Sequence, residues 1–418
     1  MIISARYIVP VVGPVIEGGA IHLERGRISK IESSWQGRAE HDFGDAVILP
    51  GLINTHTHLE FSQLQSPLGD SSLPFPDWIR SVIRWRRAQD EATQDQRTKA
   101  AVEMGLQESL RAGATTVGEI ATYDQIGDKL TNASDDELTG SGAASGWPQV
   151  VAFRELLGLG PERVETLVEL AQQHLRAETN AIAGLSPHAP YTVHPELLER
   201  VCKLSATGQF PIAMHLAESR EELQLIGEQK GRLQQMLADV GAWPDGVFTP
   251  GTRPLHYLAQ LQQAWRCLVV HGNYLDGEEL DYLAANRGSL SLVYCPRTHH
   301  YFGHDHYPLA DALARGVRVV LGTDSRASNP DLSLLNEMRF VVKEHDEVAL
   351  QDVLEMATIR AAESLGLEDD RGSLQVGKRA DLAILPIDNV SLDPLDVILK
   401  TECEPLGVFV NGCLTPLN

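Results

Sequence analysis

The sequence predicts an α/β fold: a (β/α)8 barrel of the TIM type with a small composite β-sandwich built from both chain ends. Eight short apolar runs recur through the middle of the 418-residue chain, and segments of helical period separate most of them. Strands that alternate with helices in this way indicate a parallel barrel. The runs are LIN at 52–54, ATTVGEI at 114–120, QVVAF at 149–153, AIAGLS at 181–186, FPIAM at 210–214, CLVV at 267–270, SLSLVY at 289–294 and VRVVLG at 317–322.

The two chain ends differ in character from the middle. Residues 1–49 consist of short β-rich pieces separated by glycine, proline and charged turns, and residues 373–418 have the same character. Because chain termini often lie close together, we expect these segments to pair into one β-sandwich domain. Residues 50–372 then form the barrel, and the stretch Asp135–Pro148 (DDELTGSGAASGWP) is predicted to be a loop.

Composition excludes several classes of partner. The chain carries 35 Lys and Arg against 57 Asp and Glu, a net charge of −22, which repels nucleic acids and anionic membranes. No apolar run reaches the ~18 residues of a membrane-spanning helix, and the first residues lack the pattern of a signal peptide. The five scattered cysteines include no CxxC pair, which indicates reduced thiols in a cytoplasm. We therefore expect a cytoplasmic protein without nucleic-acid or membrane partners, and its oligomeric state stays open, a homodimer included.

Metal-ligating side chains follow three of the predicted strands. His56 and His58 come directly after the first strand. His215 ends the fifth strand, and Asp324 follows the eighth. Residues i and i+2 of an extended chain point to the same side, and the carboxyl ends of all barrel strands meet at one face. We therefore predict one divalent metal ion held by these four side chains, with zinc as the first choice and iron or manganese as alternatives.

A second metal ion at this face is not expected. The fourth strand runs into Ser186-Pro187-His188, where no lysine stands. Two-metal barrel hydrolases commonly use a carbamylated lysine to bridge their ions. The absence of an obvious lysine therefore predicts a mononuclear site.

The groups around this metal predict a hydrolytic reaction. A bound divalent ion lowers the pKa of its water from about 15.7 toward about 7, which supplies hydroxide near neutrality. His271, at the end of the sixth strand, and Asp324 are candidates to accept the proton of that water. Glu218 lies three residues beyond His215, where it can approach the substrate and protonate a ring nitrogen and a leaving amine. This combination suits hydrolysis at an sp² carbon of a nitrogen heterocycle with loss of ammonia.

Five motifs are spread over nearly the whole chain. They are ILPGLINTHTH at 48–58, HLAE at 215–218, VHG at 270–272, LGTDS at 321–325 and GSLQVGKRADL at 372–382. In these motifs the chain resembles the amidohydrolase superfamily, specifically its branch of cytosine, guanine and adenosine-type deaminases and triazine hydrolases. The resemblance implies a metal-bearing barrel with a composite β-sandwich, in agreement with the strand pattern.

Further segments bear on the substrate. Ser186–Tyr191 (SPHAPY) looks like the segment with which methylthioadenosine/S-adenosylhomocysteine deaminases offer a histidine, here His188, to the nucleoside. Arg154 resembles a substrate arginine of those enzymes. Residues 58–62 (HLEFS) and 77–83 (DWIRSVI) look more like aminodeoxyfutalosine deaminases of menaquinone synthesis. The resemblance implies deamination of a 6-aminopurine nucleoside, with aminodeoxyfutalosine slightly ahead; guanine, cytosine or chlorotriazine chemistry is the alternative.

Three features keep two interpretations each. The four histidines of residues 299–306 have two interpretations. We favour the one in which they line the pocket mouth or lie on an exposed loop. In the other they form a second metal site. Arg297 and Arg326 either bind a carboxylate on the 5′ extension of the substrate or form structural ion pairs. Residues 78–85 (WIRSVIRW) have helical spacing, which favours a helix packed on the barrel over a lid that stacks on the base.

Overall fold

The computed structural model describes residues 1–123, 146–244, 246–388 and 393–415. Most of the predicted loop Asp135–Pro148 lies outside the described residues. Within these ranges, none of the helices has both the length and the apolar character needed to cross a membrane.

The strands alternate with helices through the middle of the chain. The strands are β1 (Ile2–Ser4), β2 (Tyr7–Ile8), β3 (Ile16–Glu17), β4 (Ala20–Glu24), β5 (Arg27–Glu32), β6 (His41–Asp42), β7 (Ala46–Pro50), β8 (Leu52–Thr57), β9 (Ala114–Ala121), β10 (Gln149–Leu156), β11 (Ile182–Pro187), β12 (Pro211–Leu216), β13 (Arg266–His271), β14 (Leu290–Tyr294), β15 (Val319–Leu321), β16 (Leu382–Pro386), β17 (Gly407–Val410) and β18 (Cys413–Thr415). The α-helices are α1 (Phe75–Arg87), α2 (Gln94–Arg111), α3 (Val164–Arg176), α4 (Pro195–Gly208), α5 (Arg220–Glu228), α6 (Arg232–Asp239), α7 (Pro254–Leu261), α8 (Gly277–Ala285), α9 (Pro296–Tyr301), α10 (Leu309–Ala314), α11 (Leu334–Glu344), α12 (Leu350–Met356), α13 (Ile359–Leu365) and α14 (Pro394–Lys400).

The two chain ends build a pair of sheets beside the barrel. Their strand orders are β5-β4-β1-β6 and β18-β17-β16-β7-β2-β3. Strand β16 pairs antiparallel with β7, from Leu382 opposite Pro50 to Pro386 opposite Ala46, so the second sheet contains both ends of the chain. One apolar core contains side chains of both sheets, among them Ile3, Ile21, Ile48, Leu382 and Phe409. The composite β-sandwich is thus confirmed, and the domain boundaries at 49/50 and 372/373 stay predictions.

Strands β8 to β15 form the barrel. They pair in parallel in the order of the chain, and a parallel bridge between Thr57 and Asp324 brings the last strand beside the first. The backbone N–H of Asp324 donates to the carbonyl of His56 at 3.0 Å. The predicted (β/α)8 barrel is confirmed. Its closure places residues that are 268 positions apart in the chain, at the ends of the first and last strands, next to each other.

Side chains of each barrel strand alternate between an inner and an outer layer. Val151 and Phe153 of β10 belong to the inner apolar cluster, together with residues of most other barrel strands. Val150 and Ala152 belong to an outer cluster that contains side chains of α2. Strands buried on both faces read as nearly continuous apolar runs, as the sequence showed. This alternation sets which side chains of the strands face the interior of the barrel.

Helix α1 is the element predicted from the WIRSVIRW stretch. Its residues Trp78 and Ile79 pack against an apolar cluster that includes Leu225 of α5 and Met236 of α6. Arg80 forms an ion pair with Asp239, Nη2 to Oδ2 at 2.7 Å. The helix is therefore anchored to neighbouring helices of the barrel, as the favoured interpretation expected.

Candidate metal centre and active site

The predicted metal ligands meet at the carboxyl ends of β8, β12 and β15. Ligand nitrogens of His56, His58 and His215 lie within 4.8 Å of one another. Oδ1 of Asp324 lies 3.8 Å from Nε2 of both His56 and His58. The structure thus brings together all four side chains that the sequence proposed, from three different strands.

These four residues fit a divalent cation. Both ring nitrogens of His56 and Nδ1 of His58 are buried and have no hydrogen-bond partner among the described residues. Buried polar atoms nearly always have a partner, and a metal ion would provide one here. Nδ1 of His215 lies 2.8 Å from the carbonyl of His188, an orienting hydrogen bond of the kind that metal-binding histidines usually make.

The three histidine ligands are also in the charge state that binds a metal. Burial lowers the pKa of His56 and His58 well below the ordinary value, and neighbouring imidazoles lower it further. Burial lowers the pKa of His215 to about 4. The three rings are therefore neutral near pH 7, and neutral imidazole is the form that binds a metal.

Three residues next to the site have strained backbones. Ala217, His271 and Asp324 have φ angles of 53°, 71° and 57°, in the left-handed region that residues with side chains rarely adopt. Each such residue costs about 1–3 kcal/mol, and such strain is concentrated at functional sites. For Asp324, Oγ of Ser328 donates to Oδ2 at 3.0 Å, so that carboxylate is held from one side while Oδ1 points toward the histidines.

Glu218 and His271 form a second pair beside the ligands. Oε1 of Glu218 lies 3.5 Å from Nε2 of His271, and both side chains are buried. Burial raises the pKa of Glu218 well above its usual range, and the nearby carboxylates of Asp324 and Glu222 raise it further. Burial lowers the pKa of His271 well below its ordinary value. Burial thus favours the protonated form of the carboxyl group and the neutral form of the imidazole, so the pair can donate and accept protons.

Glu222 positions the acid, and sequence reasoning missed it. Its buried carboxylate accepts the backbone N–H groups of Ala217 and Glu218, at 2.9 Å each. On the other side, Nδ2 of Asn273 donates to the carbonyl of Glu218 at 2.9 Å. A signal existed in the sequence, because Ser219-Arg220-Glu221-Glu222 has the spacing of a helix capping box. The structure uses its serine as the cap of α5, while the glutamate turns to the preceding segment instead.

Glu119, at the end of β9, holds the His-x-His segment in the same way. It is fully buried and accepts Oγ1 of Thr57 at 2.8 Å and the N–H of Leu59 at 2.9 Å. These contacts lie on both sides of His58 in the chain. Glu119 thus fixes the turn that carries one metal ligand.

His188 lies directly beside the metal ligands. Its ring centroid is 5.0 Å from that of His215, and Nδ1 lies 2.7 Å from Oγ1 of Thr192. Burial and the charge of Arg86 lower its pKa to about 3, so the ring is neutral. Because 23% of the side chain remains exposed, His188 is available to a ligand at the barrel mouth.

Glu155, rather than Arg154, is the neighbour of His188. Oε1 of Glu155 lies 3.9 Å from Nε2 of His188. By the alternation of β10, Glu155 follows the inward Val151 and Phe153, while Arg154 shares the outward side. The contact of Arg154 with substrate stays a prediction.

A charged cavity of about 280 Å³ begins at Glu155. Arg86 and Glu60 line it and form an ion pair, Nη2 to Oε1 at 2.5 Å. Arg97 and Trp85 line it as well, and the Trp85 ring lies 5.0 Å from Phe61. The cavity therefore offers two guanidinium groups and an aromatic face next to the site.

A model of the amidohydrolase family matches residues 47–414 of this chain. The chain belongs to the amidohydrolase family. A 5-methylthioadenosine/S-adenosylhomocysteine deaminase of Saccharophagus degradans is 28% identical over 411 residues, which cover 94% of this amidohydrolase and 85% of that relative. The family resemblance of the sequence motifs is therefore confirmed.

Two solved structures share the fold. The aminofutalosine deaminase of Helicobacter pylori, in complex with methylthio-coformycin, has a TM-score of 0.81 at 23% identity, over 99% of this chain and 100% of that one. The atrazine chlorohydrolase of Arthrobacter aurescens, complexed with zinc, has a TM-score of 0.77 at 21% identity, over 99% and 94%. Family and relatives confirm the predicted enzyme class: this amidohydrolase is a metal-dependent hydrolytic deaminase.

Arg297 and Arg326, for which the sequence left two interpretations, form ion pairs within the protein. Nη2 of Arg297 lies 2.7 Å from Oδ1 of Asp331, and its Nε lies 2.7 Å from Oε1 of the buried Glu337. Nη2 of Arg326 lies 2.8 Å from Oε1 of Glu108. Both guanidinium groups are thus already engaged by carboxylates, which favours the structural interpretation.

Proposed function

We propose that this amidohydrolase is a zinc enzyme that hydrolyses the 6-amino group of an adenine nucleoside derivative, with aminodeoxyfutalosine of menaquinone synthesis favoured over S-adenosylhomocysteine and methylthioadenosine. One observation carries the proposal. His188 lies beside the metal ligand His215 and Glu155 lies next to His188, and Glu155 also lines the charged cavity. The site therefore has room and polar groups for a ligand much larger than a free base.

The reacting end of the substrate lies at Glu218 and His271. Four residues, His56, His58, His215 and Asp324, would hold the ion, which supplies hydroxide near neutrality by lowering the pKa of its water. Burial raises the pKa of Glu218 and so favours its protonated form, which donates to the ring nitrogen next to the amino-bearing carbon and makes that carbon more electrophilic. His271, 3.5 Å from Glu218, accepts the proton that water loses as its oxygen bonds to the amino-bearing carbon. His271 then gives this proton to the amino group, so that the C–N bond breaks and ammonia leaves.

The ribose is recognised by His188 and Glu155. Their polar atoms lie 3.9 Å apart, a separation at which both can contact neighbouring hydroxyl groups of one sugar. His188 is neutral and Glu155 is a strong acceptor, so the pair offers complementary hydrogen-bonding groups. A free base lacks these hydroxyl groups and gains nothing from the pair.

The 5′ extension occupies the charged cavity. Arg97 suits a carboxylate, because guanidinium groups bind carboxylates well, and Trp85 suits an aromatic ring, while Arg86 is already paired with Glu60. Aminodeoxyfutalosine has a carboxylate on its 5′ extension. Methylthioadenosine carries no charge there, so it would offer Arg97 no carboxylate.

The test is ammonia release by zinc-loaded protein with aminodeoxyfutalosine, S-adenosylhomocysteine, methylthioadenosine, adenosine, guanine, cytosine and a chlorotriazine. We expect a kcat/KM above ~10⁴ M⁻¹s⁻¹ for aminodeoxyfutalosine, within the ordinary range for a physiological substrate. A higher value for another nucleoside would retain the nucleoside class and overturn the choice of substrate. Turnover of guanine, cytosine or the triazine, with no nucleoside deaminated, would overturn the proposal as a whole.

A further inference from the structure

A second cluster of metal-ligating side chains lies outside the catalytic centre. His306 lies between α9 and α10, while His345 and Glu347 follow the end of α11. One ligand atom from each lies within 4.8 Å of the others. Nδ1 of His345 lies 3.6 Å from Oε1 of Glu347, and the rings of His306 and His345 have centroids 5.1 Å apart. Two ligands of a tetrahedral zinc ion are about 3.4 Å apart, so small side-chain rotations bring the three atoms to one ion.

The central histidine is prepared for an ion. His345 is 2% exposed, and Oε1 of Glu347 lies 3.6 Å from its Nδ1, just beyond hydrogen-bond distance. Its other nitrogen, Nε2, lies 3.3 Å from the hydroxyl of Tyr294. Metal-binding histidines are typically oriented by such a bond from the second ring nitrogen, which leaves the first one aimed at the ion. A buried nitrogen without a partner costs free energy, and a cation removes that cost.

The surroundings favour positive charge and allow an ion to enter. His345 caps the C-terminus of the eleven-residue helix α11, where the helix dipole is negative. His306 and Glu347 are exposed to solvent, so the cluster is open on one side. The overall charge of −22 also attracts cations.

We propose that His306, His345 and Glu347 bind a second divalent transition-metal ion, Zn²⁺, with water as the fourth ligand. Two imidazoles and one carboxylate are a ligand set that zinc favours, whereas Mg²⁺ and Ca²⁺ prefer sites made of oxygen. Among the four histidines of residues 299–306, only His306 belongs to this site. The proposal does not depend on the substrate of the catalytic centre.

The second ion braces the segment that supports His271. Tyr294, which contacts His345, stacks on Tyr307 with ring centroids 3.8 Å apart. The hydroxyl of Tyr307 donates to the carbonyl of His271 at 2.9 Å. An ion that links His306, the residue before Tyr307, to the end of α11 restricts this segment, so we expect it to raise the melting temperature.

The experiment begins with holoenzyme that contains one metal ion per chain and adds ZnCl₂. Metal content after desalting and isothermal titration calorimetry give the stoichiometry and affinity. We expect two zinc ions per chain in the wild type and one in the His306→Ala and Glu347→Gln variants, with the second affinity reduced at least about 100-fold. Both positions are exposed, so the variants should fold. His300→Ala, an exposed histidine of the neighbouring α9, is the matched control and should bind two.

Two results would overturn the proposal. One is a wild-type protein that takes up a single zinc ion per chain at saturating ZnCl₂. The other is a second ion that binds the His306→Ala and Glu347→Gln variants as tightly as the wild type, which would place it elsewhere. MgCl₂ at the same concentrations should produce no binding heat in any of these proteins.

Discussion

The carboxyl group of Glu218 lies 3.5 Å from Nε2 of His271, and burial drives the pKa values of these two groups in opposite directions. The raised pKa favours the protonated, neutral form of the carboxyl group, and the lowered pKa keeps the imidazole neutral. One group therefore has a proton to donate and the other has a free lone pair at the same pH. A short movement is enough to bring them to hydrogen-bond distance when substrate binds.

Glu218→Gln should retain the metal ion and reduce kcat about 10²-fold or more, because the amide cannot donate a carboxylic proton. The measurements are kcat for ammonia release and zinc content per chain. Glu221→Gln, three positions along the same segment and without a role at the site, is the control and should retain wild-type activity. Near-normal turnover in Glu218→Gln would exclude the acid role.

Asp324→Ala should lower both metal content and rate. Its carboxylate lies 3.8 Å from two of the three histidines, so its removal leaves an ion with fewer ligands and less compensating charge. Metal content should be measured after dialysis against a weak chelator, beside a Ser325→Ala variant as control for the neighbouring position. An unchanged zinc content would contradict the assignment of Asp324 as a ligand.

Glu155→Gln should raise KM for a nucleoside far more than for the corresponding free base, since the contact we propose is with the ribose. Arg154→Ala provides the comparison, because the resemblance assigned the substrate contact to that residue and the strand alternation points it outward. Steady-state kinetics with the nucleoside and with the free base show whether Glu155 or Arg154 contacts the ribose. If only Arg154→Ala raised KM selectively for the nucleoside, Arg154 would be the ribose contact, as the family resemblance implies, and Glu155 would not.

Arg97→Gln should raise KM for a nucleoside with a carboxylate on its 5′ extension by about tenfold, and leave KM for methylthioadenosine unchanged. Loss of a charge-assisted hydrogen bond costs about 1.5–3 kcal/mol, and 1.4 kcal/mol already corresponds to tenfold. Arg87→Gln, an exposed arginine near the end of α1, is the control. Equal KM changes for both substrates would contradict the proposal that the 5′ extension binds in the cavity.

Glu222→Gln should change the pH dependence of stability. Burial raises the pKa of Glu222 from 4.5 to about 7, so folding favours its protonated form. Stability from this group is fully present below pH 4.5 and is lost as pH rises through about 7. The glutamine variant cannot ionise, so its melting temperature should fall less than that of the wild type between pH 5 and 7. Parallel curves for the two proteins would contradict the raised pKa.

Much of the candidate site was predictable from local sequence. The runs that end in His56, His215, His271 and Asp324 were recognisable as strands, and a parallel barrel collects all their carboxyl ends on one face. No knowledge of packing was needed for that step. Chain order and strand character alone therefore identified the residues that meet at the centre.

The supporting groups were not predictable in this way. Glu222 and Glu119 each accept backbone N–H groups from a neighbouring segment, and such contacts depend on where a buried side chain turns. Glu155 and Arg154 are adjacent in sequence and differ only in the side of β10 that they share. A shift of one residue in the register of β10 would exchange which of the two side chains faces the site.

By itself, the sequence determined the barrel, the composite β-sandwich, the family and the candidate ligands, because each depends on short periodic patterns or motifs. Only the tertiary structure decided which groups hold those residues in place and which charges remain available to a ligand. It paired Arg297 and Arg326 with carboxylates of other segments, and it brought His306 to His345 across two helices. Contacts of this kind join residues distant in the chain, and their geometry is set by the packing of the whole molecule.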